Sequence, residues 1–188
     1  MQRVLTDPVK GSLLVAEPFL GDANFERSVV LLTEHNDAEG SVGFVINKPL
    51  DLQLDDIVIG FPSLDTIVYH GGPVQQDSLY FIHNKGNLIP GSQPIKDDLY
   101  WGGDLEPLKE MISCQLITPS DIRFFLGYSG WGLGQLKDEV EDKAWVVLEQ
   151  QAVNVLHDSP KDMWNKVIRA LGGEYLLWAN SPLDPSLN

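Results

Sequence analysis

Four glycines crowd into the stretch "GYSGWGLGQ", at Gly127, Gly130, Gly132 and Gly134. No other segment restricts the fold as strongly, because glycine permits backbone angles and close chain approaches that other residues refuse. The apolar run "IRFFL" precedes it and "QLKDEVEDK" follows. This pattern predicts a strand, a tight glycine-rich turn and a helix that starts at Gln135. Turns of that kind hold nucleophilic serines in hydrolases and cradle phosphates in nucleotide-binding proteins, so both chemistries need testing against the spacing.

A serine elbow needs G-x-S-x-G, with small residues on both sides of the serine. The frame from Gly127 reads Gly-Tyr-Ser-Gly-Trp, and Trp131 stands where the last glycine belongs. The rest of a triad for Ser129 would have to come from Glu139 or Asp142 with His157. A dinucleotide loop needs G-x-G-x-x-G, but from Gly130 the third glycine arrives one residue early and Trp131 would crowd a diphosphate. The glycine-lysine pair of a phosphate-binding P-loop does not occur. The stretch therefore reads first as a packed corner, with Trp131 in the core and Gln135 opening a helix.

Around this corner the chain is rich in strands. Runs at 11–17, 27–35 and 41–47 read as strands, the last two joined by the turn "NDAEG" as a hairpin. "LQLDDIVIG" (52–60) reads as a short helix, with Asp51 to cap it and Gly60 to end it. Strands follow at 66–70 and 78–84, separated by the turn segment "GGPVQQD". A polar loop with Gly86, Pro90, Gly91 and Pro94 leads to an edge strand at 99–103. Asp104 caps a helix in "LEPLKEMIS". Strands at 122–128 and 144–149 flank the helix from Gln135, and Ser159-Pro160 opens a last helix that ends at Gly172-Gly173. Strands dominate the first half and mix with helices in the second, an order that favours an α+β fold over regular βαβ alternation. With 188 residues, no internal repeat and no low-complexity segment, one domain over 1–188 is expected.

The formal net charge is −14, and it is evenly spread. Residues 1–94 hold 12 acids and 5 bases; residues 95–188 hold 15 and 8. Without a basic arm or stripe, direct binding to DNA or RNA is disfavoured, since cations must displace the phosphate counterions. Docking on an anionic membrane is disfavoured for the same reason, and no run approaches a membrane span. Cys114 is the only cysteine, which excludes an intrachain disulfide and a thiolate zinc site within one chain. The N-terminus lacks the apolar core of a signal peptide, so the cytoplasm is the expected location.

His35, His70, His83 and His157 show no i, i+4 pairing of the metalloprotease kind. His70 and His83 end neighbouring predicted strands, with Asp77 between them, and a metal there is weighed against ordinary hydrogen-bonding roles. The latter is preferred, so neither metal nor cofactor is expected. The acid pairs Asp55-Asp56 and Asp97-Asp98 diverge on any regular element and read as solvated surface. Gly71, Gly72 and Pro73 could expose amide groups to an anion, but a tight connection between core strands explains the same residues and is preferred.

Taken together, "GSLLVAEPFLGDANFERSVVLLTEH", "EGSVGFVINKPL", "HGGPVQQDSLYFIH", "GYSGWGLGQLKDEV" and "SPLDPSLN" resemble the AlgH/YqgE family of bacterial proteins, in the family's order and from about Gly11 to the C-terminus. Phe25, Glu26, Arg27, Gly43, Asn47 and Pro49 match its strongest motifs, as do Gly71, Gly72, Pro73, Gly127, Tyr128, Gly130, Trp131, Gly132, Gly134 and Gln135. The resemblance implies a branched mixed β-sheet with a small closed barrel-like portion, surrounded by helices. The family's usual label of transcriptional regulator comes from a genetic role in alginate production, and no catalytic residue set accompanies it. Where the family often has alanine before the glycine-tryptophan pair, this chain has Ser129, which counts against a serine nucleophile as a family mechanism.

The expected activity is regulation through a protein or small-molecule partner of unknown identity, with oligomeric state left open. Asn47, His70, Gly71, Gly72, Pro73, Tyr128, Ser129, Gly130, Trp131 and Gln135 are the candidate binding surface. An enzyme of hydrolase type, with a site near His70, Asp77 and the 127–134 turn, is the first alternative. A direct transcription factor is the second, although no helix-turn-helix or basic face supports it.

Overall fold

A computed structural model describes residues 4–36 and 38–182. Asp37 of the predicted hairpin turn, and the part of the C-terminal motif beyond Pro182, lie outside the described residues.

The strands are β1 (Val4–Leu5), β2 (Leu13–Ala16), β3 (Val29–Asn36), β4 (Gly40–Val45), β5 (Pro49–Gln53), β6 (Ile67–His70), β7 (Val74–His83), β8 (Gln93–Lys96), β9 (Leu99–Trp101), β10 (Ile122–Trp131) and β11 (Trp145–Leu148). The α-helices are α1 (Leu54–Ile57), α2 (Leu105–Ser113), α3 (Gln135–Glu141), α4 (Met163–Leu171) and α5 (Tyr175–Ala179). All eleven strands form one sheet, along the path β1-β11-β2-β3-β4-β10-β7-β9-β8. It branches at β10, which also pairs in parallel with β6, and β6 in turn carries β5. The branching agrees with the family expectation. The path, however, ends at β1 and β8 without closing, so the paired strands do not make the expected closed barrel-like portion.

The sheet is buried on both faces in its middle, which explains the near-continuous apolar runs in its strands. Leu13, Val15, Val29, Leu31 and Phe44 point into a cluster with Met163, Trp164, Val167 and Ile168 of α4. Leu14, Ala16, Val30, Leu32 and Val45 point the other way, into a cluster with Leu136 of α3, Trp131 and Trp145. A third cluster packs Phe124 and Ile122 of β10 against Leu108 and Ile112 of α2 and Leu54 of α1.

Several local expectations need correction. The glycine-rich segment is mostly strand: β10 runs through Gly127 and Gly130 to Trp131, because 129–131 pair with Ser41, Val42 and Gly43 of β4. Only Gly132, Leu133 and Gly134 turn the chain before α3 starts at Gln135, as expected. The helix at 52–60 is one turn long. Asp51 lies in β5, and Gln53 caps α1 with its backbone N–H donating to Asp56 Oδ2 at 3.0 Å. Pairing of Pro49 and Gln53 with β6 overrides local helix preference there. β7 begins at Val74, which shortens the predicted turn to Gly71-Gly72-Pro73. The polar loop contains β8, and β9 pairs on both sides, so β8 and not β9 is the edge. Asp104 occupies the cap position of α2 without a side-chain hydrogen bond. The last predicted helix starts later than Ser159-Pro160, at Met163, after Asp162 adopts a left-handed φ of 62°. β1 and α5 have no counterpart in the sequence reading.

Candidate functional site

The signature residues meet at the branch of the sheet, where most are spent on the protein's own backbone. β10 lies beside β6 over Phe124–Leu126 and beside β4 over Ser129–Trp131. Gly71 sits between the two partners: its N–H donates to Leu126 O at 2.8 Å and its carbonyl accepts from Val45 N at 2.9 Å. The Ser129 hydroxyl donates to the same carbonyl at 3.0 Å and is fully buried. A Cβ on Gly71 would lie 2.2 Å from Gly127 O, and one on Gly72 2.3 Å from the Tyr128 carbonyl. This crossing of two backbones is why glycines occur in both segments. Tyr128 lies partly buried against Tyr80, with ring centroids 5.7 Å apart. Pro73 ends the connection, and Gly130 is exposed.

Asn47 behaves similarly. Its side chain accepts from Val29 N at 2.8 Å and donates to Arg27 O at 2.9 Å, acting as an extra rung beside β3. Lys48 Nζ donates to Ala23 O and Asn24 O at 3.0 and 2.9 Å, so it fastens the "GDANFER" turn to the start of β5. Burial holds the Lys48 ammonium below its usual range, against the pull of Glu26 and Asp22. Arg27 reaches to the other end of the chain, where its guanidinium donates to Ser181 O and Pro182 O, each at 2.7 Å, and covers the Trp164 ring. Its φ of 48° lies in the left-handed region.

Trp131 is 5% exposed and donates its indole N–H to Glu139 Oε2 at 2.8 Å; Trp145 donates to the same oxygen at 2.7 Å. Gln135 Nε2 donates to Glu139 Oε1 at 2.9 Å, and Gln135 Oε1 accepts from Gly132 N. Phe25 packs on both indoles. The proposed triad acid Glu139 is therefore occupied by tryptophans and a glutamine.

His70 is half-buried at the end of β6, beside Lys48. Burial, reinforced by the Lys48 charge, lowers its pKa. His83 is fully buried on the other neighbour of β10, opposite Ile122, whereas His70 is opposite Leu126. Its Nδ1 accepts from Lys85 N at 3.1 Å, which leaves the proton on Nε2 facing Gly102 O and Ser92 Oγ. Both ring nitrogens are thus in use. Asp77 is exposed, its carboxylate 3.4 Å from the neighbouring Ser78 hydroxyl. Among the described residues no group of three or more His, Cys, Asp or Glu is placed to hold a metal ion, and no helix is long and apolar enough to cross a membrane.

An open site lies elsewhere. β1 and α5 border a cleft of about 440 Å³ whose floor is β11. Val4 and Leu5 form one wall, Tyr175 and Trp178 the other, and Trp145 and Val147 lie beneath. The Tyr175 and Trp178 rings meet edge-to-face at 5.4 Å. Lys143 and Glu174, both exposed, supply its charged groups. A mostly apolar concavity with a few polar groups is the usual form of a small-ligand site. Its sequence signal was "EYLLWA" after Gly172-Gly173, an aromatic pair at i, i+3 too short to announce a helix.

The glycine and aromatic contacts just described occupy the segments that carry the family resemblance, and sequence and structure comparisons agree with it. The profile of the AlgH-like family matches residues 13–176. A UPF0301 protein from Chlorobaculum parvum is 44% identical over 178 residues, 95% of each chain. Another from Cytophaga hutchinsonii is 44% identical over 180 residues, covering 95% of this chain and 98% of its own. The solution structure of the AlgH protein from Pseudomonas aeruginosa superposes with a TM-score of 0.70 at 27% identity, covering 97% of this chain and 98% of that one. A crystal structure from Corynebacterium diphtheriae, 23% identical and covering 93% of each chain, shares the fold with a TM-score of 0.72. This chain belongs to the AlgH-like family.

Proposed function

We propose that the protein is a regulatory binding protein that acts through a small-ligand or protein partner and does not contact DNA directly. One observation carries this reading: the signature side chains are bonded to one another and to backbone, while the apolar cleft beside β11 is left open. The even charge of −14 supports the second half of it, because phosphate neutralisation needs a basic face. Cytoplasmic work suits a chain with a single, exposed thiol. The test is a gel-shift and fluorescence-anisotropy titration of the purified protein against duplex DNA at moderate salt. No complex is expected at micromolar protein; tight binding there would overturn the reading.

A further inference from the structure

We infer that the cleft between β1 and α5 takes a small molecule with an apolar, aromatic body and one anionic group, and that Lys143 holds the anion. This rests on the reading of the protein as a binding protein and adds the chemistry of its ligand.

The size follows from the walls. A two-residue strand extends about 7 Å and a five-residue helix about 7.5 Å, so a one- or two-ring body fits between β1 and α5 and an amphipathic helix does not. Tyr175 and Trp178 offer ring faces and edges to such a body.

The charge follows from Lys143. This residue occupies the position just past α3 where the chain reverses: its N–H donates to Val140 O at 3.0 Å and the next N–H, of Ala144, to Glu139 O at 2.9 Å. That pair of bonds defines a helix end whose first outer residue is left-handed, a place glycine fills without strain. Here it is a lysine, with φ 62°. A strained residue at the rim of a cleft is a pointer to function, and no ion pair engages the Lys143 ammonium among the described residues. Glu174 is the other charged group of the cleft. Burial, with the Glu174 charge adding to it, raises the Tyr175 hydroxyl pKa, so that end of the cleft already disfavours a second anion. The ligand's anionic group is thereby directed to Lys143.

The test uses two fluorescent probes that differ by one sulfonate: 8-anilinonaphthalene-1-sulfonate and its uncharged parent N-phenyl-1-naphthylamine. The full chain is expected to bind the sulfonate at one saturable site, with quenching of tryptophan emission. Lys143→Gly should weaken the sulfonate roughly tenfold, the size of one charge-assisted contact, and leave the uncharged parent unchanged. The same substitution should raise the melting temperature, because it relieves the left-handed lysine, so the lost binding cannot be ascribed to unfolding. Leu5→Trp, which enlarges a half-buried residue of the β1 wall and so fills the cleft, should abolish binding of both probes while the thermal transition stays cooperative. Equal affinity of wild type and Lys143→Gly for the sulfonate would overturn the inference. So would retained binding in a folded Leu5→Trp variant, or tighter binding of the aromatic cation proflavine. Failure of these arms leaves the DNA titration untouched, so the two readings fall separately.

Discussion

The branch of the sheet depends on single atoms. A methyl group on Gly71 would lie 2.2 Å from Gly127 O, and the contact is backbone on both sides, so neither chain can yield cheaply. Gly71→Ala is expected to cost on the order of 3 kcal/mol, at the upper end for overpacking, read as a fall in denaturant midpoint. Ser129→Ala makes the contrasting case. It removes a donor to a carbonyl that keeps its bond from Val45 N, so the loss should be about 1 kcal/mol with the fold intact. A Ser129→Ala loss several times larger would mean that the hydroxyl carries more than this hydrogen bond. The motif's glycine spacing was readable, but its purpose was not. Spacing excluded a serine elbow and a dinucleotide loop without saying that another glycine pair, more than fifty residues earlier, fills the same point in space.

At the scale of elements, α3 and β7 carry polar groups in buried contacts whose loss has distinct signatures. Glu139 of α3 accepts from Trp131 and Trp145 through one oxygen. Glu139→Ala leaves two buried indole N–H groups unpaired, and should cost about 2–4 kcal/mol together with a shift in tryptophan emission. His83, at the end of β7, responds to pH. Burial lowers its pKa from the ordinary 6.5, so the folded state favours the neutral ring. As pH falls below 6.5 the unfolded chain takes up a proton before the folded one does, and stability declines with it. Asp121, before β10, acts further down. Burial opposes its charge, but hydrogen bonds from Lys85 and Thr118 hold its pKa at about 2. Its contribution is therefore complete above the unfolded value of 3.8 and disappears as pH falls toward 2. His83→Gln should flatten the stability profile below pH 6.5, whereas Asp121→Asn should lower stability at neutral pH and converge with wild type near pH 2. A His83→Gln profile as steep as wild type would assign that acid limb to other groups. Elements with strong local signals, such as β2, β3, α2 and α4, were legible in the sequence. β1, β8 and α5 were not, because two to five residues carry too little periodicity and owe their form to neighbours. Gln135 was legible as a helix start. The cleft was not, since both its walls are among those short elements.

At the scale of the whole molecule, the three apolar clusters are not three independent cores. Consecutive residues of β2 and β3 belong to two of them, Leu13 and Val15 to one and Leu14 and Ala16 to the other. β10 joins the remaining one in the same way, with Phe125 facing the α4 side and Phe124 the α2 side. Alternation along a strand couples the faces, because no strand can leave one cluster without leaving its partner. The branch reinforces the coupling, since β10 contacts β4, β6 and β7. Arg27 adds a tie between the segment before β3 and the C-terminal end at Ser181 and Pro182. Thermal unfolding is accordingly expected to be one transition, with van't Hoff and calorimetric enthalpies equal and far- and near-UV signals coincident. The arm most able to separate is the α1 and α2 side, whose cluster shares β6, β7 and β10 with the cluster that carries α4. If that arm melts first, as an earlier calorimetric peak that Gly71→Ala moves to lower temperature, the branch is a hinge between two cooperative units and not a lock within one.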